Sequence, residues 1–111
     1  MRLIQAYIRE HMAQQTLDAL RDAHVHGVSV FKGHGFGRES RHGEYLDQDT
    51  QLGFSPIVRI ELLCPAEDVE RLLTIIRTAA HTGRPGDGKI AVLPVDRLVE
   101  IRTGQEGKAI L

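Results

Sequence analysis

The hydrophobic period of this chain changes twice, in the same order, and that repetition limits the fold more than any other feature. Residues 2–8 alternate, with Ile4, Ala6 and Ile8 on one face and Leu3, Gln5 and Tyr7 on the other, the pattern of a strand with one better-buried face. Over 12–25 the period lengthens. Ala13, Leu17, Leu20 and His24 fall on one helical stripe while Gln14, Gln15, Asp18 and Arg21 face water, and Gly27 fits a helix stop. Val28, Val30 and Lys32 then alternate with Ser29 and Phe31 in a second strand. The second half repeats the order. Val58, Ile60 and Leu62 oppose Ile57, Arg59 and Glu61 in a strand. Val69, Leu72, Leu73, Ile76 and Ala80 recur at helical spacing, behind Pro65 as a first helical residue and Glu67 and Asp68 where the helix dipole favours negative charge. His81-Thr82-Gly83 closes that helix, and a fourth strand spans about 89–94. A short extended piece from Leu98 to Arg102 precedes a polar tail.

Two strand–helix–strand units in series predict an α+β fold, a ferredoxin-like βαββαβ sandwich with an antiparallel sheet and both helices on one face. The 111 residues suffice for one domain, 1–111, with a modest core. The other sheet face, to which Tyr7, Phe31 and Ile57 point, then needs cover from an oligomer or a partner. Between the halves, from Gly33 to Ser55, the apolar signal thins. Gly33, Gly35, Gly37, Gly43 and Gly53 punctuate a polar stretch carrying Glu39, Glu44, Asp47 and Asp49. A loop of that length inside a small domain marks function.

Bulk properties narrow the partners. Hydrophobic residues make up 41% and charged residues 26% of the chain, as in soluble globular proteins. A net charge of −1 gives no reason to expect nucleic acid. The single Cys64 excludes an internal disulfide and fits a reducing cytoplasm. The apolar runs are too short to span a bilayer, and Met1-Arg2-Leu3-Ile4-Gln5 lacks a signal peptide's apolar stretch.

The segment Gly83-Arg84-Pro85-Gly86-Asp87-Gly88-Lys89-Ile90 carries the clearest chemistry. Glycines let the backbone turn its amides towards an anion, and a lysine adds the matching charge. The stretch fits the first seven positions of a P-loop, but Ile90 stands where a magnesium-holding Ser or Thr belongs. It also runs from helix to strand rather than strand to helix, so it predicts phosphate binding without a P-loop NTPase. No catalytic constellation accompanies it, which predicts a non-enzyme. Of the histidines, His24 and His26 would share one side if extended, and His34 and His42 flank the loop base. They motivate an alternative, a metal-responsive or metal-binding trimer with an altered nucleotide site, although no His/Cys cluster has a recognised ligand spacing.

Four words taken together resemble the PII signal-transduction family: Gly35-Phe36-Gly37-Arg38, Ile60-Glu61, Thr82-Gly83 through Gly86-Asp87-Gly88-Lys89-Ile90, and Ile101-Arg102-Thr103-Gly104. They occur in the family's order at nearly its spacing, and the resemblance covers the whole chain. It implies a homotrimer whose three intersubunit clefts bind ATP, ADP or AMP as a regulatory ligand. The long loop, about 37–55, corresponds to the T-loop, which changes shape with the ligand and docks on a partner, a membrane transporter or an enzyme, in nitrogen or related metabolism. By the same resemblance Gly35, Phe36, Gly37 and Arg38 form the T-loop base. Gly86, Asp87, Gly88 and Lys89, within a phosphate loop of about 82–90, cradle the phosphates. Arg102 reaches them from a C-terminal strand in the segment 98–111, and Ser29 and Glu61 of the neighbouring subunit contact the adenine side.

The chain also departs from the family. Glu100 replaces the first arginine of Arg-Ile-Arg-Thr-Gly, which disfavours ATP relative to ADP or AMP. Glu39 replaces a glutamine that helps hold magnesium; it can still hold the cation but adds charge facing 2-oxoglutarate. Ile57 replaces a lysine used for that ligand, so 2-oxoglutarate sensing is disfavoured. No tyrosine falls at the usual uridylylated position, and the loop tip reads Leu46-Asp47-Gln48-Asp49, which points to a target other than the usual ammonium channel.

Overall fold

The computed structural model describes residues 1–37 and 55–111. The elements are β1 (Arg2–Arg9), α1 (Ala13–Asp22), β2 (Ser29–Gly35), β3 (Ser55–Cys64), α2 (Val69–Ala80) and β4 (Gly88–Pro94). The strands form one sheet in the order β2-β3-β1-β4, every neighbouring pair antiparallel. This is the ferredoxin-like α+β arrangement expected from the sequence.

Strand alternation sets the two faces. Ile4, Ala6 and Ile8 of β1 and Val58, Ile60, Leu62 and Cys64 of β3 are buried beneath the helices, together with Leu20 of α1 and Leu72, Ile76 and Ala80 of α2. Burial pushes the Cys64 thiol up, with Asp68 adding to it, as suits a structural cysteine at a strand end. The opposite face carries half-exposed Tyr7, Phe31, Leu63 and Leu93. Arg59 lies over the Phe31 ring at 4.5 Å from its centroid, a cation–π contact that covers part of that face.

Several local expectations are revised. α1 stops at Asp22, well before Gly27, because the chain turns left-handed at His24, whose φ is 60°. The amide of His24 donates to Arg21 O at 3.0 Å and that of Val25 to Leu20 O at 3.3 Å, the paired bonds of a Schellman stop. His24 is therefore exposed instead of lying on the apolar stripe, where Thr16 is buried with its hydroxyl bonded to Met12 O at 2.8 Å. Pro65 is extended, with ψ 152°, and precedes a 3-10 turn, Ala66–Asp68, before α2 begins. β2 continues through Gly33, His34 and Gly35, which pair with Ile57, Pro56 and Ser55. The expected extended piece at Leu98–Arg102 contributes a single bridge, Val99 to Glu106, around a tight turn at 101–103. Short-range bonds close that turn: Glu100 N to Gln105 O and Gly104 N to Glu100 O, both 2.8 Å.

Candidate functional site

Sheet register places two candidate features at one end of the molecule. β1 ends where β4 begins, with Ile8 facing Gly88, and β3 begins where β2 ends, with Ser55 facing Gly35. The glycine-rich segment 82–88 and the root of the long connection, Gly35, Phe36 and Gly37, therefore emerge at the same end but from opposite edges. Three strand spacings of about 4.8 Å, roughly 14 Å, separate those edges.

The segment before β4 is organised around Asp87. Its carboxylate accepts the amides of Thr82 at 2.9 Å and Gly83 at 3.0 Å, the Thr82 hydroxyl, and Arg9 Nε at 3.1 Å. Thr82 Oγ1 in turn accepts the Arg84 amide at 3.2 Å. Burial works to raise the Asp87 carboxyl, but these donors outweigh it and hold the group well below the ordinary value of 3.8. The carboxylate is thus turned into the loop, which fits a site for anions: its charge is met by the loop's own amides and hydroxyl and by Arg9 of β1. Gly86 and Gly88 both have positive φ, 97° and 107°. At Gly88 a Cβ would also lie 1.7 Å from Tyr7 O, so only glycine lets β4 close against β1 here. Among the described residues the amides of Gly86 and Asp87 donate no hydrogen bond. Asp87, Gly88 and Lys89 border an open cleft of about 340 Å³ between α2 and the start of β4.

The other sequence-predicted residues lie elsewhere. Ser29 and Glu61 are cross-strand neighbours. The Glu61 carboxylate accepts Gln5 Nε2 at 2.8 Å and lies 2.9 Å from Arg59 Nε, without the alignment of a hydrogen bond. Gly35 ends β2, and a Cβ there would touch Ile57 Cδ1 at 3.4 Å. Phe36 is strongly exposed, as is Gly37 beside it. Arg102 projects from the C-terminal turn with its side chain 85% exposed and Nη2 3.6 Å from Glu100 Oε1; the same carboxylate accepts the Thr103 hydroxyl at 3.1 Å. Arg38, Glu39, His42, Tyr45 and Leu46-Asp47-Gln48-Asp49 lie outside the described residues. The chain thus joins Gly86 through Lys89 in one loop, but leaves Ser29 with Glu61, and Arg102, at separate places. Sequence reasoning placed Thr82 in the loop without its bonds to Asp87, and missed Arg9 altogether. The Thr82 bonds could have been found from the side-chain preferences of turns; Arg9 carried no local signal.

The metal alternative finds no support. Among the described residues no three His, Cys, Asp or Glu side chains converge to hold an ion. His24 and His26 are not an extended pair, because His24 is left-handed.

A family model described as nitrogen regulatory protein P-II matches residues 1–105. The chain belongs to the P-II family. Relatives named Nitrogen regulatory protein P-II are similar over nearly the whole length. That of Azospirillum brasilense is 41% identical over 108 residues, 96% of this chain and 96% of the relative. Those of Rhodospirillum rubrum and Rhizobium meliloti (strain 1021) are 38% and 37% identical over the same shares. P-II proteins are regulatory signal transducers rather than enzymes, which agrees with the absence of a catalytic motif in the sequence. Among the described residues no helix is long and apolar enough to cross a membrane.

Proposed function

We propose that this P-II-family regulator is a cytoplasmic homotrimer that binds an adenine nucleotide between subunits and signals its presence to a transporter or enzyme through residues 37–55. The phosphates lie against Gly86, Asp87, Gly88 and Lys89, with Arg102 as a second cation. Ser29 and Glu61 of the next subunit meet the adenine side, and Gly35, Phe36, Gly37 and Arg38 carry the response into the long loop. The observation that carries this reading is the loop itself. Its acidic side chain is satisfied by loop donors and Arg9, two amides have no acceptor among the described residues, and Lys89 has no acidic partner there. Amides beside an unpaired cation are the chemistry of a phosphate cradle. A trimer supplies both the missing half of the cleft, since Ser29 and the loop lie on opposite sheet edges, and cover for the half-exposed face.

Titration calorimetry with ATP, ADP and AMP, with and without magnesium and 2-oxoglutarate, tests the proposal. Binding of at least one nucleotide, weakened by Lys89→Ala and by Arg102→Ala, is the expected result. No binding at millimolar concentration would sink it. Sedimentation analysis decides the trimer independently.

A further inference from the structure

Arg9 ends β1 and is remote in sequence from the loop it touches. Its Nε donates to Asp87 Oδ1 at 3.1 Å and its Nη2 to Pro85 O at 2.6 Å, with the side chain 13% exposed. These two bonds bracket Gly86, and a Cβ on Gly86 would lie 3.0 Å from Arg9 Nη2. The guanidinium is thus seated under the turn whose Gly86 and Asp87 amides have no acceptor among the described residues. We infer that Arg9 is a positioning residue for phosphate: it fixes the loop's shape before ligand arrives, through Asp87 and Pro85, without itself being a ligand.

A planar, always charged fork suits this task better than an ammonium, because it holds a carboxylate and a carbonyl at fixed angles from one group. Fixing the loop in advance removes an ordering cost that would otherwise be charged against binding. The inference rests on the nucleotide reading for its binding consequence, but its structural half can be measured on the free protein.

Arg9→Met keeps the apolar stem and removes both bonds; Arg9→Lys keeps the charge and one bond at most. Arg21→Met, at an exposed pair on α1, is the control. Amide hydrogen exchange at Thr82 and Gly83 is measured without ligand, and affinities are measured for ATP, or the best-binding nucleotide, and for adenosine. Arg9→Met is expected to speed exchange at both amides and weaken the nucleotide by about tenfold, the loss of a charge-assisted bond. Adenosine should be unchanged, and Arg9→Lys should recover part of both effects. Weaker binding of nucleotide with unaltered exchange would make Arg9 a direct ligand and overturn the inference. Unaltered exchange and unaltered affinity would overturn it as well, as would equal losses for nucleotide and adenosine, which mark a general structural role. If the wild-type protein bound no nucleotide, the functional proposal would fail, while exchange at Thr82 and Gly83 would still decide whether Arg9 orders the loop.

Discussion

Replacing Gly88 by alanine probes the point where the loop becomes a strand. Two separate penalties act there. The backbone has φ 107°, a conformation in which an L side chain is strained, by roughly 1–2 kcal/mol. The new Cβ would also stand 1.7 Å from Tyr7 O and 2.9 Å from Tyr7 C. Backbone cannot swing away as a flexible side chain can. The start of β4 must therefore retreat by more than an ångström, breaking the pairing of Gly88 with Ile8. A lost ladder bond and displaced packing bring the total to about 3–5 kcal/mol. Gly83→Ala separates the two effects. It has a similar φ, 88°, but its nearest neighbour is a side-chain atom of His81 at 3.6 Å, so only the strain of about 1–2 kcal/mol remains. Urea denaturation of wild type and both variants at one fixed protein concentration measures the difference, since any subunit association makes stability concentration-dependent. Equal costs for the two variants would refute the close approach of β4 to β1 as the reason for Gly88.

Other outcomes follow from the same geometry. His24→Gly should stabilise the protein by about 1 kcal/mol, because it relieves a left-handed non-glycine residue at the α1 stop, and thermal denaturation would show it. Ile76→Ala empties a fully buried position on α2 and should lower stability by about 2–5 kcal/mol in denaturant titrations. Asp87 has a folded-state pKa depressed below 3.8, so the stability it contributes is fully present above that value and is lost as pH falls through the folded pKa. The stability gap between wild type and Asp87→Asn should therefore be constant at neutral and mildly acidic pH and shrink only in strong acid, as denaturation at a series of pH values would reveal. Glu100→Gln frees Arg102 from its carboxylate neighbour and should strengthen ATP binding more than AMP binding, by a few-fold for each added negative charge near the surface; equal gains in calorimetry would remove Glu100 from the control of ligand charge.

The sequence by itself determined the layering. Alternation at Ile4, Ala6 and Ile8 and at Val58, Ile60 and Leu62 assigns the buried sheet face, and the stripe through Leu72, Ile76 and Ala80 assigns the core side of α2. These patterns are legible because the periods of strand and helix are fixed by local backbone geometry. The loop word Gly86-Asp87-Gly88-Lys89 was legible for a similar reason, since glycine is what a sharply turned backbone requires. The end of α1 was not. A histidine took the left-handed position through bonds that only the folded turn reveals, and the nearby Gly27 offered a misleading stop. Only the tertiary structure decided what the loop is made of. Arg9 and Asp87 are 78 positions apart, yet the pairing of β1 with β4 sets the guanidinium against the carboxylate. The same register put the root of the long connection at the loop's end of the sheet, on the opposite edge. Such neighbours follow from strand order and register, which are set by burial of one whole sheet face, a global condition that no short stretch of sequence contains.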